Sequence, residues 1–255
     1  MNKGLKITFG ILGGIIGSAA LMWVILPGLP AYIYAKNKYS HINQTISDEE
    51  LIHSKPGADF QEVSVYGLSL KLPPDMAPSK ADDPHPTIYV TQESPKSAVG
   101  FMAEQNPDPP FEMLAENRYT PEQVETGMRG IDLKKPENNY EFFDLTYRLT
   151  PSRFRLTKHG ASPFFISIAK AKETFFDEVE SVYSFETEKG IGFILLYKLP
   201  EGKSKNYKLV TELYDKQNLN RAAHALISSP SYDLAKLIAY SAEIVPLTEA
   251  DMAKE

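Results

Sequence analysis

The chain has 255 residues, a formal net charge of −6 and 24% charged residues, which fits one globular domain plus a shorter segment and excludes wholesale disorder. It contains no cysteine, which excludes disulfides, thiolate metal sites, cysteine nucleophiles and lipid-modified cysteines. The acidic balance, without a concentrated basic face in the sequence, argues against nucleic acid as a partner.

The chain begins with a short flank, residues 1–6, and continues with an uncharged stretch, residues 7–26. A helix of this length covers roughly 30 Å, the hydrocarbon thickness of a bilayer. We therefore expect residues 7–26 to form a single-pass transmembrane signal anchor in the lipid bilayer. The alternatives are a buried core helix, which would carry a polar stripe, and a cleaved signal, which would have a shorter apolar part. A short flank before a large domain is typical of bacterial signal anchors, so we expect the cytoplasmic (inner) membrane, with the C-terminal domain outside the cytoplasm.

Four glycines in this stretch have the spacing of membrane-helix packing sites: Gly10, Gly13, Gly14 and Gly17. Small residues four positions apart let a second helix approach closely. The spacing predicts self-association or contact with a partner transmembrane helix. The alternative is that glycine is simply common in membrane helices.

The segment after the anchor, residues 27–59, is polar and predicts a juxtamembrane tether. Tyr32 and Tyr34 are the amphipathic rings expected near lipid headgroups. From residue 60 onward, apolar residues alternate with polar ones, which is typical of half-buried strands. We therefore expect the globular domain at residues 60–246, followed by a frayed tail at residues 247–255.

The domain is expected to begin with short strands. Apolar residues alternate in FQEVSVYGLSLKLPPDM, and the phase changes at Tyr66-Gly67, which predicts a tight hairpin or a bulge. Two further strands are predicted in PTIYVTQES and KSAVGFMAEQ. A stiff, proline-rich loop follows at residues 105–110.

A helical insert is predicted at residues 120–176. Thr120 and Gln123 have the spacing of a capping box, which indicates a first helix. The stretch NNYEFFDLTYRL places apolar residues on one face of a second helix. A third helix is predicted from Ser162 onward, with Lys172 at the spacing of its apolar residues.

The C-terminal part is expected to return to strands. EVESVYSFET and IGFILLYKL flank a turn, and NYKLVTELYD follows as a further strand. Because residues 192–196 are apolar without alternation, we expect their strand at the centre of the sheet, covered on both faces. Helices are predicted in NLNRAAHALIS and SPSYDLAKLIAYSAEIV. The order of elements predicts an α+β fold with a mainly antiparallel sheet packed by helices.

Two short stretches carry a resemblance to a known family. VYGLSLKLPPDM resembles the opening hairpin strand and following proline of the PsbP-like α/β sandwich family, and DLAKLIAYSAEIV resembles its closing helix. The resemblance implies a non-catalytic accessory domain that binds and stabilises a larger membrane assembly. It assigns no functional residue to this chain.

Three histidines are weighed as candidate sites. His85 follows Asp82 and Asp83, a set that would suit a divalent metal, with a solvated turn as the alternative. His159 precedes a predicted helix, where free amides would hold an anion, with a capped helix entrance as the alternative. His224 lies on a predicted helix among alanines, where we expect ordinary packing.

One basic cluster stands out in the sequence: Arg148, Arg153, Arg155 and Lys158. It would suit an acidic partner or a lipid phosphate, and the alternative is an exposed surface that balances nearby acidic residues.

Motifs for enzymatic chemistry are missing from the sequence: it has no phosphate-binding loop, dinucleotide fingerprint, nucleophile elbow or zinc-protease helix. We therefore predict no catalytic residue, no cofactor and no metal. The expected function is a membrane-anchored, extracytoplasmic, non-catalytic binding or accessory subunit of a membrane assembly. The alternative is a membrane-tethered hydrolase or small-ligand-binding domain, with a site between the sheet and the helical insert.

Overall fold

The computed structural model describes residues 28–47, 56–80, 83, 85–102, 119–156, 163–199 and 206–247. The chain divides into two units. The helical unit comprises residues 1–43, 112–135 and 149–173, and the sheet unit comprises residues 44–111, 136–148 and 174–255. No helix within the described residues is long and apolar enough to cross a bilayer, and the predicted span 7–26 lies outside them.

The sheet unit is built on two sheets. Its described strands, in chain order, are β1 (Ile46–Ser47), β2 (Gln61–Val65), β3 (Leu68–Leu72), β4 (Met76–Pro78), β5 (Ile88–Thr91), β6 (Ala98–Met102), β7 (Val179–Glu186), β8 (Gly190–Tyr197), β9 (Tyr207–Asp215), β10 (Asn218–Ser229) and β11 (Glu243–Ile244). Eight of them form a large sheet in the order β1-β7-β8-β9-β10-β6-β5-β4, and β11-β3-β2 form a small one. All pairs are antiparallel except β1 with β7, which confirms a mainly antiparallel sheet.

Five described helices accompany the strands: α1 (Leu29–Lys38), α2 (Pro121–Arg129), α3 (Asn139–Arg148), α4 (Pro163–Glu178) and α5 (Tyr232–Tyr240). The predicted capping box of α2 is confirmed, since Thr120 Oγ1 accepts from the Gln123 backbone N–H at 3.2 Å and Gln123 Oε1 accepts from the Thr120 N–H at 2.8 Å. The predicted starts of α3 and α4 are confirmed as well. The segment predicted as a tether contains α1 and β1.

The hairpin predicted at Tyr66-Gly67 joins β2 to β3. Val65 pairs with Leu68, so the turn has two residues, with φ of 52° at Tyr66 and 76° at Gly67. Positive φ at both central residues matches the right-handed twist of paired strands, and glycine adopts it without a steric cost.

The prediction for β8 is also confirmed. Residues 192–196 are buried throughout, and β8 lies inside the eight-stranded sheet. Strand packing requires the glycine at position 192, because a Cβ there would lie 1.9 Å from the backbone oxygen of Glu212.

The helix predicted in NLNRAAHALIS is wrong, because this segment is the long strand β10. It pairs with β9 on one side and β6 on the other. Ala223, Ala225 and Ile227 alternate into the core, with exposures of 2%, 0% and 0%. Hydrogen bonding to two neighbouring strands and burial of one face therefore outweigh the helix propensity of alanine.

Apolar clusters cover the two faces of the large sheet differently. On one face, α5 and the small sheet pack against β9 and β10; this cluster includes Leu68, Leu70, Leu209, Leu213, Ala235 and Ile238. On the other face, α3 and the last turn of α4 pack against β7, β8 and β9; this cluster includes Tyr147, Phe176, Val182, Phe193, Leu195 and Tyr214.

The helical unit has its own buried residues. Ile131 and Phe154 form an isolated antiparallel bridge, and both are buried. Lys172 in α4 is completely buried, as its place on the predicted apolar face suggests, and its Nζ donates to the backbone oxygen of Leu149.

Candidate functional site

One face of the large sheet carries an apolar row that crosses seven strands. In register from β1 to β5, the row consists of Ile46, Val182, Leu195, Val210, Leu226, Gly100 and Ile88. Paired residues of neighbouring strands project to the same side, so the row forms one continuous surface. Its first three residues are buried, whereas Leu226 is 39% and Ile88 49% exposed. Helix α3 and the last turn of α4 therefore cover the part of this face on β7, β8 and β9, and the side chains of Leu226 and Ile88 remain exposed.

The covered half of this face, on β7, β8 and β9, lies beneath an aromatic layer. Tyr147 of α3 packs edge-on against Phe193 of β8, with ring centroids 4.9 Å apart, and against Phe175 of α4 at 4.8 Å. Tyr140 stacks on Phe193 at 5.3 Å. Such ring pairs add to the apolar burial that holds the helices on the sheet.

The open half of this face lies on β10, β6 and β5, and we define it by five residues: Ile88, Gly100, Met102, His224 and Leu226. Met102 is 40% exposed, next to His224 in the register. Gly100 is half-buried, and a Cβ built there meets no atom of the described residues within 4 Å. Contiguous exposed apolar side chains of this kind mark interaction sites.

A buried carboxylate lies at the boundary between the two halves. Glu212 on β9 is 5% exposed, and its neighbours in register are Phe193 on β8 and His224 on β10. Its Oε2 accepts a hydrogen bond from the Tyr147 hydroxyl at 3.3 Å, and its Oε1 accepts one from the Tyr214 hydroxyl. The two hydroxyl donors therefore satisfy both oxygens of a carboxyl group that would otherwise be costly to bury.

Three tyrosines of the covered half, Tyr140, Tyr147 and Tyr197, keep their protons at neutral pH. Burial raises the pKa of Tyr147 well above its usual value, and the charge of Glu212 raises it further. Burial also raises the pKa of Tyr140 to about 12 and raises the pKa of Tyr197. Tyr147 is therefore a constant hydrogen-bond donor to Glu212.

Two asparagines position α3 for this contact. The backbone N–H of Asn139 donates to Oδ1 of Asn220 at 2.9 Å, and its Nδ2 donates to the Asn220 backbone oxygen at 3.0 Å. Asn220 belongs to β10, so these bonds tie the start of α3 to the sheet. Tyr147 follows about two helical turns later, over Glu212.

The site offers hydrogen-bonding groups beside apolar surface. Each oxygen of Glu212 accepts a tyrosine hydroxyl, while half-buried His224 is the polar member of the open half and can form hydrogen bonds through its ring. Within the described ranges, no three His, Asp or Glu side chains are grouped to hold a metal ion.

Three of the four predicted basic residues lie within the described residues. Arg148 lies in the sheet unit, where its Nε donates to Asp144 Oδ1 at 2.8 Å, and Arg153 and Arg155 lie in the helical unit. Arg155 forms an ion pair with Asp132, so two of the four basic residues have carboxylate partners. Outside the described residues lie the packing glycines and one basic residue: Gly10, Gly13, Gly14, Gly17 and Lys158.

Two of the three candidate histidines, His85 and His224, lie within the described residues. The backbone N–H of His85 donates to Oδ1 of Asp83 at 3.0 Å, in the loop between β4 and β5. Asp82 and His159 are outside the described residues. His224, expected on a helix, lies instead on β10 opposite Glu212, and is the histidine that the fold brings to the open half.

Glu212 and its two tyrosine partners were missed at the level of sequence. A signal was present, because the stretch LVTELYD alternates Leu209, Thr211 and Leu213 with Val210, Glu212 and Tyr214. A charged residue inside a strand whose two faces are mainly apolar indicates a buried carboxyl group that needs hydrogen-bond donors.

Neither a protein-family model nor a curated protein matches the chain.

Proposed function

We propose that the chain is a non-catalytic accessory domain, held at a membrane by residues 7–26, that binds a partner protein of a membrane assembly through the open half. The observation that carries this proposal is the exposure of Ile88, Met102 and Leu226 on three adjacent strands of one sheet face. Monomeric domains rarely expose large contiguous apolar patches, and such patches are typical of protein-binding sites.

The shape of the open half favours a protein partner. Strands of one sheet make a broad and rigid surface, and the bare backbone at Gly100 gives a partner side chain room to approach. His224 adds one hydrogen-bonding group at the edge of this surface. The resemblance to PsbP-like domains implies the same kind of accessory role.

The test places a charge in the middle of the open half of the full-length chain. Gly100→Arg adds a side chain where the Cβ meets no atom of the described residues within 4 Å, so the fold is expected to tolerate it. Gln217→Arg is the matched control, because it makes the same charge change at an exposed position in the turn between β9 and β10. The measurement is the size of the particle released from native membranes by a mild detergent, followed by native electrophoresis.

We expect the wild-type chain and Gln217→Arg to migrate within an assembly, and Gly100→Arg to migrate as the separate chain. A desolvated, unpaired guanidinium in an interface is strongly unfavourable, so the loss should be nearly complete. An assembly that retains Gly100→Arg would refute the proposal.

A second candidate, binding of a small ligand, is favoured by the position of His224 opposite Glu212 at the boundary of the covered half. A ligand held there would use the His224 ring and the apolar floor beside it. Purified wild-type protein, when denatured, would then release a small molecule in stoichiometric amount, and His224→Ala would reduce that amount. Release of nothing from the wild-type protein would contradict this candidate.

A further inference from the structure

Helix α1 exposes an unusual face for a helix of a globular unit. Ile33 is 48% and Tyr34 55% exposed, next to each other in the first half of the helix. The opposite side is anchored, since Ala35 is fully buried and Tyr39 is 3% exposed. Burial of Ala35 and Tyr39 therefore keeps Ile33 and Tyr34 on the exposed face of α1.

A contact between a histidine and a carboxylate links the end of α1 to α4 within the helical unit. His41 Nε2 lies 2.9 Å from Oε1 of Glu173 in α4, shortly after the end of α1. Burial raises the pKa of Tyr39, and the charge of Glu173 raises it further, so the Tyr39 hydroxyl stays protonated and its ring stays packed.

Helix α1 carries its aromatic and apolar residues before its cationic residues. The first turn contains no acidic residue, and the last turn contains Lys36 and Lys38, both exposed. Lys36 Nζ lies over the ring of Tyr32, 5.2 Å from its centroid, and donates to the Tyr32 hydroxyl at 2.9 Å. Apolar and aromatic groups therefore come first, and cationic groups follow.

The distance from the predicted anchor limits where α1 can lie. Three chain steps separate residue 26 from Leu29, and an extended chain covers at most about 10 Å in that distance. The headgroup layer of a bilayer is roughly 5–7 Å thick on each side. The start of α1 is thus confined to that layer or its immediate edge.

We propose that the exposed face of α1 lies in the lipid headgroup layer, with Ile33 and Tyr34 toward the acyl chains and Lys36 and Lys38 toward the phosphates. This proposal rests on the proposed anchoring of residues 7–26. Tyrosine rings favour the membrane interface, and lysine side chains extend their ammonium groups toward the headgroups while their methylene stems contact apolar groups. The partner of this surface is a bilayer that contains anionic phospholipid.

The test uses the full-length chain in vesicles of phosphatidylcholine and phosphatidylglycerol. Trp23→Phe removes the single tryptophan, and Tyr34→Trp then provides a reporter on the exposed face. The matched control is Tyr39→Trp, the same substitution on the buried side, with circular dichroism to confirm that it folds. The measurement is tryptophan fluorescence in vesicles whose lipids are brominated near the top of the acyl chains.

We expect the reporter at position 34 to lose most of its fluorescence in brominated vesicles and the reporter at position 39 to lose little. The loss at position 34 should be smaller in vesicles of phosphatidylcholine alone, because the lysines would lack anionic partners. Vesicle-bound protein with no quenching at position 34 would overturn the proposal for α1 while leaving the anchor intact. Protein that an alkaline wash removes from the vesicles would overturn both.

Discussion

Replacing Lys172 by Met tests how a buried ammonium group affects stability. Lys172 is completely buried in α4, and its Nζ donates to the backbone oxygen of Leu149. Burial lowers its pKa from 10.5 to about 7. The side chain is therefore largely neutral in the folded protein above neutral pH, but protonated in the unfolded chain.

The sign of the pH dependence follows from this difference. Between about pH 7 and 10.5, the unfolded chain binds a proton at Lys172 that the folded chain lacks. The free energy of unfolding therefore rises with pH in that window, by about 1.4 kcal/mol per pH unit from this group. Below about pH 7 both states bind this proton, so Lys172 adds no further pH dependence to the free energy of unfolding. The cost of burying its charged amine remains in full there.

The magnitude at one pH can be worked out. At about pH 7.5, three units below the pKa of the unfolded side chain, keeping Lys172 neutral costs about 4 kcal/mol. Lys172→Met removes this cost but leaves the Leu149 oxygen without that donor, which costs about 1–3 kcal/mol. We expect the variant to be more stable than the wild-type chain by about 1–3 kcal/mol at that pH.

The assay is urea unfolding of the full-length chain in a nonionic detergent, followed by circular dichroism between about pH 7.5 and 9. The wild-type chain should gain stability across this range, and Lys172→Met should lose that gain. Lys170→Met is the control, because Lys170 is exposed on the same helix and its replacement should change stability by less than about 0.5 kcal/mol. A wild-type stability that is flat with pH, or a variant that keeps the slope, would refute the reasoning.

Three further predictions concern the sheet unit. Gly192→Ala should lower the free energy of unfolding in urea by at least about 3 kcal/mol, because the added Cβ would lie 1.9 Å from a backbone oxygen. Gly100→Ala in the same sheet should raise that free energy by about 0.5–1 kcal/mol. Equal effects of the two substitutions would contradict the packing argument. Tyr147→Phe should cost about 1–3 kcal/mol in the same assay, since it deprives buried Glu212 of a hydroxyl donor, and an unchanged midpoint would show that the bond is dispensable. Ser231→Ala should lower the free energy of unfolding by about 1 kcal/mol and reduce the Tm, because the Ser231 side chain caps α5. A Tm equal to that of the wild-type chain would argue against the cap.

The elements predicted correctly from the sequence carry local signals. The Thr120–Gln123 capping box marks the start of α2, and the change of phase at Tyr66-Gly67 marks a two-residue hairpin. In each case, the residues that determine the structure are neighbours in the chain, so their spacing is enough to recognise it.

The segment that became β10 lacks such a signal. Its alanines favour a helix in isolation, and the structure is decided by β6 and β9, which supply backbone partners on both sides. The open half combines β5 and β6 with β10, more than a hundred residues later in the chain, so no local pattern could assemble it. The buried Glu212 was recognisable as an anomaly within an apolar strand, but its donor Tyr147 comes from a helix whose placement only the fold decides.

Stability and the proposed binding role depend on different halves of the same sheet face. In the covered half, Phe193 and Leu195 are 0% and 3% exposed, whereas a Cβ added at Gly100 in the open half meets no atom of the described residues within 4 Å. Core residues that contact many neighbours lose stability when they are altered, but exposed positions usually change it little. Substitutions at Gly100 and Leu226 therefore report on partner binding with little effect on folding, and a loss of assembly at these positions would point to a lost contact rather than to an unfolded chain. The same substitutions would be uninformative at Phe193 or Leu195, because binding and folding would fail together.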